Sequence, residues 1–155
     1  MIVDASVLVA LIRRESDAPE FGRIMDRAPV LRISAGTYVE LGAVIDGARN
    51  PVASRMVDSL LDEWSIRIEP VTVAQARLAR DAYRDFGKGS GHPARLNFGD
   101  CFAYALARDL GEPLLFKGTD FTQTDIEIVI EPIKEHRLSE VMCRYEASPS
   151  AAGGA

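Results

Sequence analysis

An α/β sandwich built on a mainly parallel sheet is the fold class this chain predicts. Three observations carry it. Short apolar runs alternate with amphipathic segments along most of the chain. The runs lack a polar face, as strands covered on both sides do. Ser, Asn, Pro and Gly punctuate the segments where helices should start and stop.

Residues 1–4 read as the first strand, and Val7, Leu8, Leu11 and Ile12 give a helix over 5–13. Ser16 or Asp17 caps a helix reaching about Arg27, with Pro19 in its first turn. Val30 to Ile33 is the second strand. Ser34 caps a helix from about Ala35 to Ala48, stopped by Arg49-Asn50-Pro51, and another follows to about Trp64. Trp64 lies among Leu60, Leu61 and Ile66, as a core residue would. Ile66 to Ile68 is the third strand, ended by Pro70, and Val73 to Phe86 is helical. Residues 87–93 hold three glycines and a proline and form a flexible loop. Phe98 to Leu110 is helical with Gly111 as its stop, and Leu114 to Phe116 and Glu127 to Ile130 are the last strands. Arg137 to Tyr145 carries one more helical stripe, and residues 148–155 have nothing to bury and are expected to be disordered.

A length of 155 residues indicates one domain, and 47% hydrophobic residues supply a core. No apolar run approaches the roughly 18 residues of a membrane span. No charged n-region with an apolar h-region precedes Ile2, so a cytoplasmic protein is expected. Cys101 and Cys143 read as reduced thiols without metal-ligand spacing, so zinc is not expected. The net charge of −5 alone disfavours nucleic acid, and any phosphate-binding surface has to be local.

Four acids stand where an acid is awkward. Asp4 closes the first strand, Glu40 interrupts an apolar helical segment, Asp100 opens another, and Asp120 follows the Leu114–Phe116 run. Each has a bland reading: helix cap for Asp4, rim residue for Glu40 beside a Leu41, Val44, Ile45 and Ala48 stripe, first-turn acid capped by Asn97 for Asp100, Asx turn for Asp120. Together, at strand ends and helix starts, they read as one site. Ligands of such sheets bind beyond the carboxyl ends of the strands. Gathered carboxylates suit a hard dication such as Mg2+ or Mn2+. Competing motifs fail: Asp4-Ala5-Ser6 lacks the second aspartate of an Asp-x-Asp phosphatase, no aspartate follows the second strand as a receiver domain needs, and there is no P-loop.

The segments Met1–Ser6, Ser34–Glu40, Leu96–Ala107 and Leu115–Phe121, in this order and at this chain length, resemble a PIN-domain ribonuclease, specifically a VapC-type toxin of bacterial toxin–antitoxin pairs. The resemblance covers about residues 1–130. It implies a three-layer α/β/α sandwich with a short, mainly parallel sheet. It makes residues 1–133 the nuclease domain, with a helix in 134–147 outside the pattern. Asp4, Glu40, Asp100 and Asp120 match the family's acidic quartet, and Ser6 and Thr119 its small hydroxyl positions near the metal. It also implies Mg2+-dependent RNA cleavage, with Mn2+ as substitute, a small antitoxin that blocks the site, and a homodimer.

On this reading Asp4 and Asp100 are primary ligands, Glu40 and Asp120 ligands or holders of water, and Ser6 and Thr119 orient carboxylates. Local positive charge for RNA is sought in Arg77, Arg80, Arg84 and Lys88, a stripe at steps of three, four and four, followed by Arg95. The stripe is equally a solvated face paired with Asp81 and Asp85. Arg13 and Arg14 are a weaker source of charge, and His92 and His136 are too few and too separated for an acid–base pair. Apolar helices in the first 65 residues are the place expected for an antitoxin groove. Two other functions stay open: an RNA- or protein-binding module without catalysis, and a metal-dependent phosphatase of small phosphoesters.

Overall fold

The computed structural model describes residues 1–129. In chain order the elements are β1 (Ile2–Val3), α1 (Ala5–Arg13), α2 (Ala18–Arg27), β2 (Arg32–Ser34), α3 (Ala35–Gly47), α4 (Pro51–Glu63), β3 (Arg67–Glu69), α5 (Val73–Phe86), α6 (Asp100–Leu110) and β4 (Leu114–Leu115), followed by a 3-10 turn over Asp120–Gln123. The strands form one sheet in the order β3-β2-β1-β4, every pair parallel.

Two-residue strands suffice because each residue serves a different face. Ile2 pairs with Leu114 and Val3 with Leu115 across β1 and β4. Alternation sends Ile2 and Leu114 into a cluster with α5 and α6 (Ala79, Tyr104, Leu106), and Val3 and Leu115 into one with α1 to α4 (Leu8, Leu41, Leu61). That is the expected α/β/α sandwich. Each fully buried Leu or Val contributes about 1.5–3 kcal/mol relative to an exposed one.

Local signals fix the boundaries. Ser34 accepts from the Gly36 amide, and Asn50 from those of Val52 and Ala53, with Pro51 in the first turn of α4. Gly111 ends α6 in the left-handed conformation, at φ 61°. Thr72 and Gln75 form a reciprocal capping box at the start of α5 that the sequence reading did not single out.

Four expectations are corrected. The strand expected over 127–130 is reduced, among the described residues, to one parallel bridge between Leu114 and Ile128. Helix α6 starts at Asp100 rather than Phe98, because Asn97 to Gly99 form the turn that caps it. Val44 and Ala48 leave the inward stripe of α3, which buries Leu41 and Ile45 instead. Trp64 is only partly buried, its ring N–H donating to Asp26 at 2.8 Å. The helix read over 137–145 and the tail 148–155 lie outside the described residues. No helix among those described is long and apolar enough to cross a membrane.

Candidate active site

Parallel strands β1 and β4 end side by side, and the chain leaves both on the same edge of the sheet. Asp4 follows β1 and caps α1. Its Oδ2 accepts from the Ser6 amide at 3.0 Å and the Ser6 hydroxyl at 2.6 Å. Ser6 Oγ in turn accepts from the Lys117 amide at 3.0 Å, which ties the ends of β1 and β4 together through one hydroxyl. Asp4 is only 5% exposed, and its Oδ1 is buried with no hydrogen-bond partner. A buried, unpaired carboxylate oxygen is costly unless something polar or cationic meets it.

Asp100 enters from the opposite layer. Its Oδ2 accepts from the Asn97 amide at 2.6 Å, while Asn97 Oδ1 accepts from the Asp100 amide at 3.0 Å. The capping role read from the sequence is therefore real, and the carboxylate also lines the cavity. Glu40 projects from α3 and lies against Gly99: a Cβ there would stand 1.9 Å from Glu40 Oε1 and 2.1 Å from Oε2. Glycine at 99 is what lets α3's carboxylate approach the start of α6 this closely. Asp120 opens the 3-10 turn after β4.

All four acids and Ser6 line one cavity of about 350 Å³, with Asn97, Glu15 and Lys117 on its walls. Burial raises the Asp4 carboxyl above its usual range against the pull of the Ser6 and Ala5 hydrogen bonds, and Asp120 adds to the rise. Burial pushes Asp100 up to about 7, its Asn97 bond opposes this, and Asp4, Asp120 and Glu40 push it further. Burial and then Asp4 raise Glu40. Burial and neighbouring carboxylates thus oppose the ionisation of Asp4, Glu40 and Asp100.

The donor set fits a hard dication. It is made of carboxylate oxygens, it holds an orphaned Asp4 oxygen, and its mutual repulsion is relieved by positive charge. Among the described residues no group of three or more His, Cys, Asp or Glu side chains is placed, as it stands, to hold an ion jointly. The acids stand around the cavity walls instead. Cys101 is no nucleophile: burial pushes its thiol to about 12, and Sγ donates to the Asn97 carbonyl.

Other expected residues fall elsewhere. Thr119 is exposed and lines a neighbouring cleft of about 400 Å³ with Asp17, Phe21 and Lys117, not the acid cavity. The turn at Gly118 (φ 107°) brings Asp120 round and leaves Thr119 outside. Arg77, Arg80, Arg84, Lys88 and Arg95 are exposed, and none lines the acid cavity. Arg84 is held at 2.8 Å by both Asp81 and Asp85, so its charge is largely matched, as the pairing alternative foresaw. His92 is a loop residue whose Nδ1 accepts from the Ala94 amide.

Sequence reasoning missed Glu15 and Lys117 as cavity residues. Lys117 Nζ pairs with Glu15 and Asp17 at the mouth, and these acids hold its pKa above the ordinary lysine value. The available signal was position: Lys117 follows β4 directly, at the ligand end of the sheet.

Comparison with known proteins agrees with this geometry. The PIN-domain family profile matches residues 1–127. The chain is 53% identical over 131 residues to ribonuclease VapC28 of Mycobacterium tuberculosis, covering 84% of this chain and 98% of that one. It is 54% identical over 126 residues to ribonuclease VapC42 of the same species, covering 81% and 96%. Among solved structures, M. tuberculosis VapC20, a sarcin–ricin-loop-cleaving toxin, superposes with a TM-score of 0.67 at 19% identity, covering 84% of this chain and 98% of that one. The toxin–antitoxin complex of Klebsiella pneumoniae superposes with a TM-score of 0.62 at 18% identity, covering 83% and 95%. With identity above one half along nearly the whole length of curated relatives, the chain belongs to the PIN-domain family and, within it, to the VapC ribonucleases.

Proposed function

We propose that this VapC ribonuclease is a Mg2+-dependent endonuclease, the toxin of a type II toxin–antitoxin pair, and that Asp4, Glu40, Asp100 and Asp120 hold its metal. One observation carries the assignment of residues: four acids from four elements line one cavity at the carboxyl ends of β1 and β4, and the carboxyls of Asp4, Glu40 and Asp100 are raised by burial and by their acidic neighbours. A bound dication supplies activation of water near neutral pH and offsets charge on the phosphate. The chain supplies the frame. Ser6 fixes Asp4 by donating to Oδ2, leaving Oδ1 for the ion. Asn97 fixes Asp100 through its amide, and Gly99 admits Glu40. The exposed cations Arg77, Arg80, Lys88 and Arg95 are the reserve of positive charge for the RNA backbone.

An antitoxin partner is supported by the toxin–antitoxin complexes that share the fold. The cleft beside α2, with Phe21 and Ile24 on its wall, offers it an apolar seat. The test is expression from an inducible promoter, with new RNA 5′ ends mapped for the wild type and for Asp4→Asn. New ends that require Asp4 are expected. Identical ends from a folded Asp4→Asn protein overturn the assignment.

A further inference from the structure

One cation stands among the acids. Among the described residues Lys117 is the single Lys or Arg on the wall of the acid cavity, which also holds a fifth carboxylate, Glu15. Both ends of this lysine are fixed. Its amide donates at 3.0 Å to Ser6 Oγ, the hydroxyl that donates in turn to Asp4. Its ammonium donates to Glu15 and, at 3.0 Å, to Asp17. Asp17 first and Glu15 second keep it protonated. An ammonium carries three N–H groups and no acceptor. Two are used here, and no third residue among those described accepts from it. The side chain is 37% exposed, and ion pairs open to solvent stabilise a fold little. Arg84 differs on each count: its Nε, Nη1 and Nη2 all bind Asp81 or Asp85 on its own helix, and it lies off the cavity.

We propose that Lys117 donates its remaining N–H to a non-bridging oxygen of the RNA phosphate to be cut, as a catalytic residue beside the four acids. The inference rests on the ribonuclease reading and adds the group that meets the substrate's charge where the cavity itself repels it. Five carboxylates face a polyanion at this mouth, and Arg77, Arg80, Arg84, Lys88 and Arg95 do not line it. A fixed cation offsets the charge spread over the phosphate oxygens as the bond to the leaving oxygen breaks. Glu15 and Asp17 hold the ammonium in place, so little side-chain freedom is lost when the phosphate arrives. The lysine keeps its proton throughout. Its part is to position the phosphate and to offset its charge. The alternative is a purely structural tie between the segments that follow α1 and β4.

The substrate for the test is total bacterial RNA, with new 5′ ends counted over time in Mg2+ at rising KCl. RNA is kept below saturation, so that the rate reports kcat/KM, and thermal melts check folding. Lys117→Gln should lower the rate about tenfold, the low end for a hydrogen bond to a charged group. It should also flatten the log–log salt slope by about 0.7–0.9, the share of one phosphate contact. Lys117→Arg should restore most of both. Asp17→Asn keeps an acceptor for the ammonium but removes a charge that competes with phosphate, and should raise the rate. A Lys117→Gln protein with the wild-type rate or the wild-type salt slope overturns the contact. So does an Asp17→Asn protein as slow as Lys117→Gln, which makes the lysine a structural tie. If Lys117→Gln does not fold, Asp17→Asn decides alone: a raised rate supports the contact and a lowered one overturns it. New ends that Lys117→Gln makes as fast as the wild type bring down the contact alone; no new ends from the wild type in Mg2+ bring down the ribonuclease reading and the contact with it.

Discussion

Replacing Gly99 by alanine separates the site from the fold. The backbone at Gly99 is already helical (φ −66°, ψ −40°), so an added methyl suits its local conformation. Gly99 directly precedes the first helical residue, so the roughly 1 kcal/mol by which Ala is favoured over Gly inside a helix does not apply there. The three nearest atoms all belong to the Glu40 carboxyl group, which would lie 1.9–2.1 Å from the new Cβ. Ordinary contact begins near 3.4 Å, so the carboxylate must retreat by about 1.5 Å. It sits at the end of a flexible side chain, so the retreat is easy and the fold survives. The function does not, because a misplacement of about 1 Å in a catalytic group costs on the order of 100-fold.

The expected outcome is a melting temperature within a few degrees of the wild type and a fall of about 100-fold in kcat/KM for RNA cleavage in Mg2+. Circular dichroism and a single-turnover cleavage assay measure the two. Glu40→Gln supplies the comparison, since it removes the charge without moving the backbone. If Gly99→Ala cleaves at the wild-type rate, the position of Glu40 against Gly99 has no part in catalysis. A Gly99→Ala protein that unfolds refutes the claim that the clash is confined to one mobile carboxylate.

Three further outcomes follow from the same geometry. Asp100 holds its proton up to about pH 7 in the folded state, well above an unfolded aspartate near 3.9, so between these values the native state binds more protons. Stability of the metal-free protein should therefore fall as pH rises from about 4 to 7; Mg2+ should reverse the fall, and Asp100→Asn should flatten it in melts across that range. Ser6→Ala removes the hydroxyl shared by Asp4 and the Lys117 amide and should lower stability by about 1–3 kcal/mol in urea titrations; unchanged stability would mean that water replaces it without loss. Charge reversal of Arg84 and Lys88 tests the basic face: because Asp81 and Asp85 already engage Arg84, Lys88→Glu should weaken RNA binding and flatten its salt slope more than Arg84→Glu does. Equal slopes for the two would remove the distinction.

Most of the fold was legible because its boundary signals are chemical and local. Ser34, Asn50-Pro51 and Gly111 act within one turn of the residues they cap or stop, so a sequence displays them directly. The four acids were legible for a related reason: each breaks an apolar pattern, Asp4 and Asp120 after a strand, Asp100 at a helix start and Glu40 within α3. What was not legible depends on contacts far apart in the chain. Thr119 and Asp120 are neighbours in sequence, yet past the turn at Gly118 Asp120 lines the acid cavity and Thr119 the neighbouring cleft. Glu15 and Lys117 are 102 residues apart and meet only once the segments that follow α1 and β4 come together. Of the strand read at 127–130, the described residues show one bridge, from Ile128 to Leu114 of β4.

The same arrangement that gathers the acids in one cavity also works against the stability of the fold around them. A core of this kind normally excludes unpaired acids, yet Asp4 and Asp100 are buried within it, and both carboxyls are raised by that burial. Ser6 and Asn97 answer one oxygen of each, which is enough to set direction but not to quench charge. The remaining repulsion falls on the cavity; on the proposed assignment a dication there would relieve it and gain affinity from doing so. Ion binding and folding stability would then be linked through the same carboxylates. Neutralising Asp4 or Asp100 with asparagine should leave a protein that is more stable without metal and insensitive to it, the opposite of what loss of an ordinary core polar contact produces.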